Sequence, residues 1–299
     1  MKLWEHYHTP TTVDEALSLL AQYAGRARII AGGTDLLVEM RAGEHEPHHA
    51  LIDITRIAEL TTIARDGEQI TIGAGVTHTQ IVHSALLQQR AACLVESCGV
   101  VGGPQVRNVA TLGGNVAHAL PAGDGTVSLV ALGAEAEAVI GGERRWHPIQ
   151  ALYLGPGKSL LNPARDVLLR FRLAACGPRE GTAFDRIMRP QGVALPILGC
   201  AVRVRLTADG TRFERAQLCI APLGPTPERL LELEVFLVGK TADEVSLRSV
   251  IDLAQSSLHP RASKYRASAE YRREMIGVLL ERTLTRAVER ARAASVDPR

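Results

Sequence analysis

The chain has 299 residues, 46% of them hydrophobic and 22% charged, which suits a soluble globular protein with room for two domains. Its 34 basic and 32 acidic side chains leave a net charge of only +2, which argues against a nucleic-acid partner. The start, Met1-Lys2-Leu3-Trp4-Glu5-His6, lacks the apolar core of a signal peptide, and no apolar run approaches the roughly 20 residues that span a bilayer, so a cytoplasmic protein is expected.

In chain order, Thr11 and Thr12 cap a helix whose apolar face carries Ala16, Leu17, Leu19 and Leu20, and Gly25 ends it. Ala27 to Ala31 is a short strand containing Ile29 and Ile30, and it runs into Gly32-Gly33-Thr34-Asp35 before a short helix from Leu36 to Arg41. Strand, Gly-Gly, hydroxyl and helix make a phosphate-binding order in principle, because glycines admit close backbone approach and a helix start offers unpaired N–H groups. The spacing matches neither G-x-G-x-x-G nor G-x-x-x-x-G-K-[ST], and a turn without ligand is the alternative. The Asp35 carboxylate is expected to face away from any phosphate.

His45, His48 and His49 fall in a Pro-interrupted polar stretch that reads as a solvated loop rather than a metal site. A strand over 51–54, a hairpin turning at Asp66-Gly67, and helices from Thr77 and over 86–95 follow. After Gly99 to Ala110 comes the densest stretch, Thr111 to Asp124, with Gly113-Gly114-Asn115 near its start. Backbone N–H groups there could cradle a phosphate, with Thr111 and Asn115 as side-chain donors. Asp124, acceptor-only when ionised, suits a hydroxyl or ring N–H instead.

Val127 to Leu132 reads as a helix and Ala134 to Ile140 as a strand; Gly155-Pro156-Gly157-Lys158 reads as a structural loop. Val167 to Leu173, which includes Leu168, is a strand, and Cys176 to Gly181 has linker composition. Beyond it, Ala194 to Leu206 alternates apolar and polar residues and pairs antiparallel with Arg215 to Ile220. Helices are expected over 228–238, 242–258 and 270–294, the last with Arg and Glu in i,i+4 pairs on a wet face. Cys93, Cys98, Cys176, Cys200 and Cys219 form no close pair, so five free thiols and no metal in this chain are expected.

Two Gly-Gly turns about 80 residues apart suit a ligand with two linked phosphates. Ala31 to Leu37, Thr111 to Asn115 and Pro121-Ala122-Gly123-Asp124 together resemble the FAD-binding medium subunit of the molybdenum hydroxylases. Further matches are 155–158, Phe184 to Pro190, Pro225 to Arg229 and Tyr271-Arg272-Arg273, in order along nearly the whole chain. The resemblance implies an α+β fold: a two-subdomain FAD-binding domain of the vanillyl-alcohol-oxidase (PCMH) type over 1–176, divided near 56, then a C-terminal α+β domain over 181–299. It implies that the pyrophosphate lies between the turns and that Asp124 accepts from an adenosine ribose hydroxyl or a neighbouring polar group. By the same resemblance Val101 lines the flavin, Leu168 packs near the adenine and Arg186 stands near the cofactor. The four-cysteine insertion of some relatives is missing, so a simple flavin subunit is implied.

The implied assembly is a heterotrimer, often paired, with a molybdopterin large subunit and a small subunit carrying two [2Fe–2S] clusters. Electrons would leave through FAD to NAD, oxygen, a quinone or a protein, and no side chain of this chain is catalytic. The alternatives are a self-contained flavin oxidase or reductase and a non-catalytic nucleotide-binding scaffold.

Overall fold

A computed structural model describes residues 2–44, 47–189, 195–263 and 266–294. Among these residues the strands form sheets of three, five and three strands, with a two-stranded hairpin besides. Parallel pairing is confined to the first sheet, where His48–Asp53 lies between Trp4–His8 and Ala27–Ile30. Helix Val13–Gln22 covers one face of this sheet. Thr12 caps it by accepting from the Glu15 N–H, while Glu15 reaches back to the Thr11 N–H at 2.8 Å. The core beneath it (Val13, Ala16, Leu20, Ile52) runs on into Val139, Val167 and Leu169 of the second sheet. On the opposite face, Leu36 and Met40 of helix Leu36–Ala42 pack on Ile30 and Leu51.

The second sheet is antiparallel, ordered Ile63–Asp66, Gln69–Gly73, Val167–Ala174, Glu135–Ile140 and Glu143–Pro148. Its wet face is ion-paired: Glu137 accepts from Arg144 at 2.9 Å and Arg170 at 2.6 Å, and Arg172 lies 4.1 Å above the Trp146 ring. Its other face carries the main core, closed by the helical segment between residues 78 and 131.

That segment differs from the expected continuous helix over 86–95. It breaks at Ala91 between Ala85–Arg90 and Ala92–Gly99, because the Arg90 carbonyl accepts from the Cys176 N–H at 2.9 Å. His48 and His49 also differ from expectation: they open a strand, and His49 pairs with Glu5 at 2.9 Å. His45 lies outside the described residues. All five cysteines are free and buried, and burial pushes the Cys93 thiol up to about 12.

The third sheet is a meander of Glu180–Met188, Pro196–Leu206 and Phe213–Ala221. Pro196–Leu206 is buried at every position but Arg205, not alternately exposed as its sequence suggests. Both faces are covered: Leu198, Cys200 and Val202 pack under the final helix, while Ala201 joins the main core. Helices Leu231–Leu237 and Glu244–Ser257 flank it, and Ala269–Ala293 lies along it. Gly181 permits that contact, since a Cβ there would fall 2.0 Å from the Ala287 carbonyl oxygen.

Among the described residues the arginines of the last helix do not form the expected i,i+4 ladder with glutamates on a wet face. Arg290 donates to the Thr182 carbonyl and to Glu96 Oε1, both at 2.6 Å, and Arg286 donates to the Phe184 carbonyl. Glu96 Oε2 accepts from the Phe184 N–H at 2.7 Å. One carboxylate on helix 92–99 thus ties the third sheet and the last helix to the main core.

Removing it leaves the Phe184 N–H without an acceptor and Arg290 with only the Thr182 carbonyl in a partly buried seam. Glu96→Ala should lower unfolding free energy by about 2–3 kcal/mol in denaturant titration. Glu143→Ala, which removes an exposed pair with Arg145, should change it by less than about 0.5 kcal/mol.

Candidate functional site

The first Gly-Gly turn leaves strand Ala27–Ile30 and enters helix Leu36–Ala42. The Ile29 N–H is held by the Pro163 carbonyl at 2.9 Å, and Ile30 and Leu36 are buried, so Ala31 to Asp35 are anchored at both ends. Gly33 has φ +66°, a left-handed conformation that only glycine adopts cheaply. Among the described residues nothing accepts from the N–H groups of Gly32, Gly33, Thr34 or Asp35. Asp35 is exposed and does not cap the helix; its Oδ2 lies 3.5 Å from the Thr34 hydroxyl.

The second turn is different. Leu112 N–H donates to the Val76 carbonyl at 3.0 Å and Gly113 N–H to the Ala74 carbonyl at 2.8 Å. Gly114 N–H donates to the Thr111 hydroxyl and Asn115 N–H to the Thr111 carbonyl, each at 3.0 Å. Every N–H expected to cradle a phosphate here is already used, because helix Leu112–Ala117 begins at this point and Thr111, itself buried, is its cap. What the turn still presents is the exposed Gly114 surface and the carboxamide of Asn115. Among the described residues the Asn115 Nδ2 has no partner, and its Oδ1 accepts from the Thr126 hydroxyl at 3.5 Å.

The two turns meet. A Cβ on Gly32 would lie 2.2 Å from the Val109 carbonyl oxygen and 2.8 Å from the Ala110 Cα, so bare glycine backbone packs against the chain leading into Thr111. His118, after the second turn, approaches Glu39, after the first, at 3.5 Å. Leu169 receives the Ala74 N–H at 2.9 Å, which places the strand carrying Leu168 under Gly113. Leu168 itself is buried in the main core at a bulge in its strand. Val101 is half-buried after helix 92–99, where Arg107, unremarked in the sequence, donates to the Val101 and Gly102 carbonyls at 3.1 and 2.8 Å.

Asp124 begins helix Asp124–Ala131 and is 5% exposed. Its Oδ2 accepts from Arg186 Nη1 at 2.7 Å, an ion pair between the main core and the third sheet. Its Oδ1 is buried without a partner, as is Arg186 Nε. The sequence signalled both residues but not that they pair, since 62 positions separate them.

Residues 2–174 match the family described as "FAD binding domain in molybdopterin dehydrogenase", and residues 182–287 match "CO dehydrogenase flavoprotein C-terminal domain". The chain belongs to the FAD-binding subunits of the molybdopterin dehydrogenases. It is 32% identical to the carbon monoxide dehydrogenase medium chain of Hydrogenophaga pseudoflava, over 94% of this chain and 96% of that one. It is 29% identical to the xanthine dehydrogenase FAD-binding subunit of Escherichia coli O157:H7, over 95% and 96% of the two chains. A solved structure of carbon monoxide dehydrogenase from Hydrogenophaga pseudoflava superposes with a TM-score of 0.88 at 30% identity, covering 97% of this chain and 99% of that one. Quinoline 2-oxidoreductase from Pseudomonas putida 86 gives 0.86 at 25% identity, covering 97% and 98%. The α+β fold, with an FAD-binding domain followed by a C-terminal domain, is that of this flavoprotein family.

The glycines separate by what surrounds them. A Cβ on Gly113 would sit 2.5 Å from the Ala74 carbonyl oxygen, whereas one on Gly114 would meet only the Thr111 hydroxyl at 3.1 Å. Gly113→Ala should therefore cost about 2–3 kcal/mol of stability in denaturant titration, and Gly114→Ala less than about 1 kcal/mol. Burial of Asp124, outweighing Arg186, pushes its carboxyl from an ordinary 3.8 up to about 6. A carboxyl that holds its proton more tightly when folded contributes stability in full below its unfolded value and loses it as pH rises through the folded one. Wild type should lose stability relative to Asp124→Asn between pH of about 4 and about 7, read from denaturation midpoints across that range.

Proposed function

We propose that this chain is the electron-transfer subunit of a heterotrimeric molybdenum hydroxylase, with FAD held between the two Gly-Gly turns. The observation that carries the reading is the row of four unpaired N–H groups at Gly32, Gly33, Thr34 and Asp35, set against the second turn. Unpaired backbone donors beside a carboxamide N–H are complementary to a pyrophosphate. Ile29, Ile30, Ala31 and Leu36 shape this turn, Gly113 and Thr111 seat the second, and Gly114 and Asn115 face the cofactor. The orphan Oδ1 of Asp124 supports its role as acceptor for a ribose hydroxyl. In this reading Arg186 keeps Asp124 ionised and aimed, Val101 borders the flavin, and Leu168 backs the adenine end.

FAD supplies the redox chemistry, taking electrons from [2Fe–2S] clusters of a small partner subunit and releasing them to NAD, oxygen, a quinone or a protein. This chain's part is to bind and orient; we assign it no proton-transfer residue. A large subunit with the molybdopterin cofactor would oxidise the substrate, and two heterotrimers would pair. We assign the FAD-binding domain to 1–176, with subdomains meeting near residue 56, and the C-terminal domain to 181–299. We place the complex in the cytoplasm; among the described residues no helix is long and apolar enough to cross a membrane.

The test is the flavin content of the protein purified together with its partners. Acid extraction should release FAD, about one per chain, and Gly114→Asp should retain the fold while losing it, because a carboxylate would meet the pyrophosphate. Release of FMN or no flavin from wild type, or full FAD in Gly114→Asp, would refute the placement.

A further inference from the structure

Behind Asn115 the fold buries a short chain of hydroxyls that the family assignment does not require. Thr126, fully buried on helix Asp124–Ala131, has its Oγ1 2.6 Å from the Tyr153 hydroxyl and donates to Asn115 Oδ1 at 3.5 Å. Tyr153 is 5% exposed and lies at the start of the short strand Tyr153–Gly155.

The proton order in this chain follows from counting. Each hydroxyl has one proton to give. Among the described residues the Tyr153 hydroxyl has only Thr126 as a partner. If Thr126 gave its proton to Tyr153, the buried tyrosine proton would have no acceptor. Tyr153 therefore donates to Thr126, and Thr126 donates to Asn115. Burial pushes the Tyr153 phenol above its ordinary value, so it stays a protonated donor at physiological pH.

The end of the chain decides which way the carboxamide points. An amide that receives a proton from Thr126 must present its oxygen inward and its NH2 outward. Two glycines leave room for the inner carboxamide atom, since a Cβ on Gly123 would lie 2.9 Å from Asn115 Oδ1 and one on Gly125 3.2 Å from it, and the Thr126 proton makes that atom the oxygen. The opposite orientation would turn a carbonyl oxygen toward the phosphates and leave the Thr126 proton without an acceptor.

We propose that Thr126 and Tyr153 are positioning residues that hold the Asn115 carboxamide with its NH2 toward the cofactor pyrophosphate. The proposal rests on the FAD reading above. Neither residue touches the cofactor, and neither is catalytic. Both act by fixing the polarity of one donor.

The test is a set of FAD dissociation constants on the complex, stripped of flavin and titrated by flavin fluorescence, with thermal melts as a fold control. Thr126→Val keeps the volume but removes the hydroxyl, and should weaken FAD binding about tenfold. Thr126→Ser should restore wild-type affinity, a rescue that a purely packing role would not give. Tyr153→Phe should weaken binding in the same direction. Asn115→Leu should weaken it about tenfold or more, and Thr126→Val added to Asn115→Leu should cost nothing further. If Asn115→Leu weakens FAD binding but Thr126→Val does not, or if the two effects add in full, the relay is wrong and the cofactor placement stands. If Asn115→Leu leaves FAD affinity unchanged, the cofactor placement fails and the relay falls with it. A Thr126→Val protein that unfolds leaves the decision to Tyr153→Phe and Thr126→Ser: wild-type affinity in the first, or weakened affinity in the second, overturns the relay.

Discussion

The site depends on one contact without side chains: Gly32 packed against the carbonyl of Val109 and the Cα of Ala110. No Cβ fits there, so the loop leaving the first sheet and the link between helices Pro104–Arg107 and Leu112–Ala117 come together at the distance of touching backbones. A turn with free N–H groups and a turn with a side-chain amide then become one surface. His118, at the end of helix Leu112–Ala117, and Glu39 of helix Leu36–Ala42 approach each other across the same junction. The glycine at this point serves packing between parts of the chain.

The two Gly-Gly turns, alike in sequence, do opposite work. In the first, the helix begins late enough that four N–H groups are left without acceptors. In the second, Thr111 caps the helix at once and the carbonyls of Val76 and Ala74 take the preceding donors, so the backbone is spent. What the second turn leaves exposed is the Asn115 carboxamide and the bare Gly114 backbone, and the proposed FAD site uses these. This division explains why a Gly-Gly pair cannot be read as a donor cradle until the partners of its N–H groups are known.

The C-terminal part is coupled to the site by charges rather than by apolar contact alone. Arg186 of the third sheet meets Asp124 in a seam where both are nearly dry. Burying both charges is costly, and removing either would leave the other exposed to that cost. Glu96 plays a similar part farther along the seam, joining Phe184 and Arg290. The third sheet is thereby held in register with the helix that begins at Asp124.

Much of the local structure was legible in the sequence. The first helix, the strand before Gly32, the hairpin at Asp66-Gly67 and the long last helix all appear, since capping residues, apolar spacing and turn glycines are local signals. The α+β class and the flavoprotein family were legible too, because motifs recur in order along the whole chain. The strand Trp4–His8 was not, since pairing with the distant His48–Asp53 stabilises it, and Glu180–Met188 was not, since its own composition does not announce it. The sequence alone determined the residue types at the site: glycines that permit contact, an amide, a carboxylate, an arginine. Only the tertiary structure decided which donors stayed free, that Asp124 and Arg186 pair, and that Thr126 and Tyr153 line up behind Asn115. Hydrogen-bond partners are assigned by proximity in space, and the spacing of residues along a chain does not encode that proximity.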